Sequence, residues 1–364
     1  MMVGSGMELV ASPVGRRKAL LEVLNGSQPW RRPVWFMRQA GRYLPEYQET
    51  RRRAGSFLEL CDAPELAGEV TIQPLRRFDL DAAIVFADIL LVPRALGCDL
   101  SFRENEGPVL SRVWSEKDVG GLQRDGMVER LAAVYETVRQ VKASLPSHVA
   151  LIGFCGGPWT VASYMIEGGS SNDRSLARRA AFERQPWFES LIDVLTETAC
   201  DHLASQIEAG ADVVQIFDSW AGDLDDVLRQ RYCEEPIRRI VEGLGARGHT
   251  TPVIGFARGI GAGHRRFAEV SKVAAVSVEW SVPVGWMASE LAPVVPVQGN
   301  LDPMAVAVGG PALRRSIEHL VRTMPADRHI FNFGHGVRPE TPPAHVAETL
   351  HLIRAMDLQA REET

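Results

Sequence analysis

A closed (β/α)₈ TIM barrel is the fold class this sequence predicts, and three observations predict it. Apolar runs with β-branched and aromatic character start near residues 34, 83, 150, 212, 252, 274, 294 and 329, each followed by a polar loop and a helix-spaced segment. About eight such β-then-α units are what a closed barrel requires. Although 364 residues would also suit two ordinary domains, no linker-like stretch divides them. Finally, Arg38, Asp88, Ser219, Asn300 and His335 each fall within a few residues of the C-terminal end of an apolar run. In this fold those ends converge on one mouth, where active sites are found. The expected organisation is a lead-in over 1–15, a catalytic barrel over 16–358 and a tail over 359–364.

Ahead of the first run, Arg17 to Leu24 has helical spacing and is expected to close the bottom of the fold or pack beside the first strand. Val34, Trp35, Phe36 and Met37 then read as a strand, and Gly41 and Pro45 forbid its regular continuation. Arg38, Gln39 and Arg42 are thereby put on a strand-end loop. Arg offers a planar, permanently charged fork that takes carboxylate or phosphate bidentately, so a loop anchored by a strand can aim two forks at one anion. The alternative is a solvated basic face; the Trp, Phe and Tyr interleaved with the charges count against it.

Ala63-Pro64-Glu65 starts a helix whose apolar face is Leu66, Val70, Leu75 and Phe78. The strand Ala82 to Phe86 runs into Asp88, a single carboxylate in an apolar setting. Asp88 is either an N-cap for the following short helix or a carboxylate kept in an apolar cleft to face a cationic or N–H-bearing ligand. Residues 97–125 read as an insertion or hairpin, and Met127 to Leu145 as one amphipathic helix.

After the strand Val149 to Phe154, a helix starts at Pro158 and stops at Gly168-Gly169, carrying Tyr164 either into the core or toward a ligand. The Arg-rich stretch 170–187 suits a lid or a solvated helix. A long helix, Trp187 to Ala209, leads to the strand Ala211 to Phe217, ending at Asp218-Ser219-Trp220. Strands follow at Pro252 to Phe256, Ala274 to Val278, Val294 to Gln298 and His329 to Phe333, the last running into Gly334-His335-Gly336, with a final helix from Pro343 to about Met356.

The totals exclude several function classes. A net charge of -6 and a pI near 5.9 argue against general affinity for nucleic acid or an anionic membrane, so basic residues must act locally. Cys61, Cys98, Cys155, Cys200 and Cys233 form no C-x-x-C pair, which argues against a disulfide framework or zinc ribbon and for a reducing, cytoplasmic setting. No apolar run reaches the roughly eighteen residues of a membrane span, and the N-terminus lacks the apolar stretch of a secretory signal.

RQAGRYLPEY (Arg38 to Tyr47), FADIL (Phe86 to Leu90), GPWTVASYMIEGG (Gly157 to Gly169), QIFDSWAG (Gln215 to Gly222), QGNLDP (Gln298 to Pro303) and FNFGHG (Phe331 to Gly336) resemble uroporphyrinogen decarboxylase. The resemblance runs in order over nearly the whole chain, and the first motif is highly specific for the family. It implies a cofactor-free, metal-free enzyme of haem and tetrapyrrole synthesis, a homodimer of single barrels, that converts uroporphyrinogen III to coproporphyrinogen III by turning four acetates into methyls. Carried over motif by motif, it implies substrate binding by Arg38, Gln39, Ala40, Gly41, Arg42, Asp88, Tyr164, Ser219 and His335, and by Arg51. Asp88, Arg38 and Arg42 are the implied catalytic residues. Trp220 stands where other members carry His, so an acid–base role for that His does not transfer.

The chemistry of the residues agrees. A porphyrinogen needs guanidinium groups for its carboxylates and an acceptor for its four pyrrole N–H groups, and Arg38, Arg42 and Asp88 are of those types. Losing CO₂ from an acetate demands an electron sink, which the substrate supplies if a pyrrole α-carbon is protonated. Asp88 would stabilise that cation, while one of the arginines or His335 is the candidate proton donor. Two alternatives stay open: a zinc-dependent corrinoid methyltransferase of the same superfamily, disfavoured because no Cys follows Cys233 to complete three soft ligands, and a non-catalytic tetrapyrrole-binding barrel.

Overall fold

The computed structural model describes residues 17–103 and 107–362, so the expected lead-in lies outside the described residues. In chain order the strands are β1 (Ala82–Ile84), β2 (Leu100–Arg103), β3 (Gly107–Leu110), β4 (Ala150–Gly156), β5 (Val213–Asp218), β6 (Val253–Ala257), β7 (Ala275–Ser277), β8 (Val297–Leu301) and β9 (His329–Phe333). Strands β1 and β4 to β9 form one parallel sheet in sequence order, and β2–β3 is a separate antiparallel hairpin that fills the expected excursion.

The segment around Val34 joins the two edges of that sheet. On one side Phe331 N–H donates to the Pro33 carbonyl at 2.8 Å and Trp35 N–H to the Phe331 carbonyl at 3.3 Å; on the other Asp81 N–H donates to the Val34 carbonyl at 2.8 Å. The chain therefore has the eight staves of a TIM-type barrel. Its first stave is a single ladder residue, shorter than the strand expected over Val34 to Met37. Beyond it the Gln39 side chain enters the ladder, accepting from Phe36 N–H at 3.0 Å and donating to the Ala82 carbonyl at 3.1 Å.

Buried-on-both-faces strands explain the near-continuous apolar runs of the sequence. Trp35, Ala82, Ile152, Val213, Phe217, Ile254, Phe256 and Ile330 form one buried cluster with Leu20 and Val23 of the helix Ala19–Leu24. That helix thus closes one end of the barrel, as its spacing suggests. A polar layer runs through the same interior: Trp35 Nε1 donates to Gln298 Oε1 at 2.9 Å, and Gln298 Nε2 donates to Gln215 Oε1 and Ser277 Oγ. Both ends of the buried Gln298 amide thereby find partners.

The seam beside Val34 is held by charge. Asp81, buried at the head of β1, accepts from Val34 N–H at 2.7 Å, Arg31 Nε at 2.6 Å and Arg354 Nη2 at 2.6 Å.

Some expected elements shift. The loop after Val34 gives way at Pro45 to a helix, Pro45–Ala54, with Pro at its first turn, so Arg51 lies on a helix. The single helix expected over Met127 to Leu145 is two, Met127–Arg130 and Ala132–Ser144. The stretch 170–187 contains the helix Ser175–Glu183. β8 begins at Val297 and carries Asn300 inside the strand, because Pro293 and Pro296 withhold ladder donors from the preceding residues. The last helix runs Pro343–Glu362, through much of the expected tail. Among the described residues no helix is long and apolar enough to cross a membrane.

Candidate active site

Four of the expected residues gather by electrostatic contact at the C-terminal ends of the staves. Arg38 acts on Asp88, Tyr164 and His335, and Asp88 acts on Tyr164. These side chains come from the loops after Val34, β1 and β9 and from the helix Pro158–Glu167 that follows β4, far apart in sequence and adjacent at one rim.

Arg38 has φ 60°, the left-handed region that non-glycine residues seldom adopt, and its side chain is exposed. Among the described residues its guanidinium makes no hydrogen bond or ion pair, and neither does that of exposed Arg42. Most other arginines of the described chain are tied to an Asp, a Glu or a carbonyl. Two unpaired forks on one loop suit a ligand with several carboxylates. Arg42 lies near Tyr47 and Glu340, and Arg51, near Tyr47 and Cys61, gives one donor to the Gly55 carbonyl at 3.0 Å. Gln39 is otherwise engaged: its buried amide bridges Phe36 and Ala82, and its carbonyl accepts from Tyr43 at 2.8 Å. Ala40 and Gly41 complete the turn, where a β-carbon at Gly41 would stand 2.9 Å from the Arg38 carbonyl oxygen.

Asp88 is not the N-cap of the short helix that follows, a position held by Leu90. Its Oδ1 accepts from Leu90 N–H at 2.8 Å, a local turn at the start of the helix Leu91–Ala95. The residue is nonetheless half-buried at the rim, and burial raises its carboxyl to about 6 against the opposing pull of Leu90 N–H and Arg38. One oxygen is anchored; the other has no hydrogen-bond partner among the described residues.

Tyr164 is half-buried, its hydroxyl raised by burial and by the Asp88 charge, and its ring centroid lies 6.3 Å from that of Trp220. His335 is half-buried between Phe256 and Trp280, with ring centroids 6.4 Å from each. Burial, then Arg38 and Arg258, lower it to about 3, so its imidazole is neutral at physiological pH and is no strong acid. Ser219 is half-buried at the end of β5, beside Trp220. Asn300, grouped with these at the outset, is spent on the frame: its Nδ2 donates to the carbonyls of Glu279 and Val282.

Residues that sequence reasoning passed over hold the rim together. Asp218 Oδ1 accepts from Thr160 N–H at 2.9 Å and from Thr160 Oγ1 at 2.5 Å, capping the Tyr164-bearing helix Pro158–Glu167 from a neighbouring strand. Trp220 N–H donates back to Thr160 Oγ1 at 3.0 Å, and Trp159 Nε1 to the Trp220 carbonyl at 2.9 Å. Gly157 is required there, since a β-carbon would stand 2.5 Å from Asp218 Cβ. The adjacency of FDSW to the strand end was the available signal; its partner Thr160 was not legible.

Residues 16–356 match the family model described as uroporphyrinogen decarboxylase (URO-D). The chain belongs to this family. Similar curated proteins named uroporphyrinogen decarboxylase include that of Rhodospirillum rubrum, 47% identical over 94% of this chain and 99% of its own. Those of Chelativorans sp. (47%) and Mesorhizobium japonicum (46%) each cover 93% of this chain and 98% of their own. Among solved structures, a methyltransferase from Methanosarcina mazei is similar at a TM-score of 0.76 and 18% identity, covering 94% of this chain and 99% of its own, a likeness of fold. Among the described residues no group of three or more His, Cys, Asp or Glu is placed to hold a metal ion. All five cysteines are buried and unpaired.

Proposed function

We propose that this chain converts uroporphyrinogen III to coproporphyrinogen III, replacing each of four acetate arms by methyl and releasing four CO₂, with Asp88 as the principal catalytic residue and Arg38 and Arg42 holding carboxylates. The observation that carries the reading is the meeting of a half-buried, singly anchored Asp88 with the unpaired guanidinium of Arg38 at the barrel mouth. Tyr164, Ser219, His335, Arg51 and the backbone of 39–41 complete the proposed binding set.

A proton added at a pyrrole α-carbon makes the ring a cationic electron sink. The acetate C–C bond then breaks, its electron pair flowing into the ring as CO₂ departs; the exocyclic carbon takes a proton to become methyl, and the α-carbon proton is released. The net change per arm is one proton consumed and one CO₂ formed, with no oxidant or reductant. Asp88, mostly ionised above pH 6, stabilises the cation and accepts pyrrole N–H. At about 4 Å and an effective dielectric of about 20 opposite charges attract by roughly 4 kcal/mol, about a thousandfold in rate if felt only in the transition state. His335, neutral, serves as a hydrogen-bonding group, which leaves an arginine-bound water or an arginine as the proton route. By resemblance the chain acts as a soluble cytoplasmic homodimer that takes neither nucleic acid nor membrane as partner.

The test is anaerobic turnover of uroporphyrinogen III by the wild type and Asp88→Ala, with EDTA present, followed by chromatography of the oxidised products. Coproporphyrin from the wild type and little from the variant supports the proposal. Uroporphyrin left untouched by the wild type overturns it.

A further inference from the structure

Arg38, Arg42 and Arg51 all approach the mouth from one side, through the loop and helix that follow the Val34 stave. A tetrapyrrole carries carboxylates around its whole rim, so cations on one side hold only one edge. β6 is four staves from Val34 in either direction round the ring, hence across the barrel from Arg38. The residue that follows β6 is Arg258.

Its backbone is clamped on both sides. Arg258 N–H donates to the Asp218 carbonyl at 3.2 Å, and its carbonyl accepts from Gly222 N–H at 2.9 Å. Gly222 and Gly259 touch there, and a β-carbon on Gly222 would stand 2.7 Å from the Gly259 carbonyl oxygen. The side chain is half-buried, its Cζ 5.4 Å from the centroid of the Trp220 ring, and its charge reaches His335. Among the described residues its guanidinium makes no hydrogen bond or ion pair. Arg174, whose Cζ lies 4.2 Å from the same ring, is by contrast committed to Asp223 and to the carbonyls of Ser171 and Asn172. Arg258 is a positioned cation at the mouth left without an anion.

We propose that Arg258 is a further substrate-binding residue, holding a carboxylate arm of the tetrapyrrole at the edge opposite Arg38, with Trp220 as the aromatic shelf that orients it. The proposal rests on the porphyrinogen reading above. Losing a charge-assisted hydrogen bond costs about tenfold or more in binding. Binding lost equally in ground and transition state appears in KM with kcat kept.

The experiment compares wild type, Arg258→Met, Arg258→Gln and Arg258→Lys in two assays: anaerobic uroporphyrinogen turnover, and fluorescence titration with uroporphyrin, an unreacting octacarboxylate, at two salt concentrations. Expected are a rise of about tenfold in KM for the Met and Gln variants with kcat within about threefold, a similar loss of uroporphyrin affinity with a shallower salt dependence, and partial rescue by Lys. Thermal melts identify any variant that fails to fold, in which case the remaining neutral variant and Lys decide. Unchanged KM and uroporphyrin affinity in a folded neutral variant overturns the proposal. A wild type that binds uroporphyrin but leaves uroporphyrinogen untouched overturns the decarboxylase reading, while the titrations still judge Arg258. A wild type that binds no uroporphyrin overturns both.

Discussion

Arg38 lies across Gly336: a β-carbon on that glycine would stand 2.7 Å from Arg38 Cγ and 3.0 Å from its Nε, closer than non-bonded atoms approach. The glycine after His335 is therefore the floor on which the principal unpaired arginine rests. Gly336→Ala is expected to leave the fold intact, because the obstructed group is an exposed side chain that can swing away. It should raise KM for uroporphyrinogen about as much as Arg38→Met, with a melting temperature near that of the wild type.

Neutralising Asp88 should separate activity from stability. Its carboxyl is raised to about 6 by burial, so the ionised form costs folding free energy at pH above 6, and that cost fades as pH falls from 6 toward the ordinary value near 4. Asp88→Asn is expected to lose about a hundredfold or more in kcat. At pH 8 it should melt a few degrees higher than the wild type, of order 1–3 kcal/mol, and at pH 4 the difference should vanish. Turnover and calorimetry at both pH values check this; a variant that melts lower at pH 8 contradicts it.

The same group sets the acid limb of the rate. Decarboxylation needs anionic Asp88, so kcat/KM should fall about tenfold per unit below pH 6. His335 contributes no limb between pH 5 and 8 because it is neutral throughout, held near 3 by burial, Arg38 and Arg258. His335→Asn should change the height of the profile and keep its shape. Since Arg38 lowers both groups, Arg38→Met should move the Asp88 limb upward in pH.

Thr160 joins two loops of the rim through Asp218 and Trp220. Thr160→Val removes the hydroxyl, leaving Trp220 N–H without an acceptor and Asp218 with the backbone donor alone. The expected cost is about 1–3 kcal/mol, read by urea unfolding, together with reduced turnover through displacement of Tyr164 and Trp220.

Asp81 secures the short first stave. Buried to 1% exposure and bonded to Arg31, Arg354 and Val34 N–H, it leaves those donors stranded if removed. Asp81→Ala should cost about 3–5 kcal/mol and lower activity by loosening the stave that carries Arg38, whereas Asp99→Ala, at an exposed position just before the β2–β3 hairpin, should leave activity unchanged.

Much of this molecule was legible in its sequence because barrel strands are buried on both faces. Apolar runs therefore mark the staves, and the polar residue that ends each run marks the mouth: Arg38, Asp88 and His335 are found that way, Tyr164 only through the family resemblance, and the four are brought together in space. The motif order also determined the family. What the sequence left undecided depends on contacts between distant segments. Gln39 reads as a ligand-binding residue, yet its amide bridges Phe36 and Ala82 because the first stave is one ladder residue long. Asn300 reads as a rim residue, yet it is consumed by Glu279 and Val282. Arg258 reads as one more basic residue after a strand, and only the folded chain reveals that it follows the stave opposite Val34 and that its guanidinium has no partner among the described residues. Whether a buried polar group is spent or free is settled by which neighbours the fold supplies, and spacing along the chain carries no record of that.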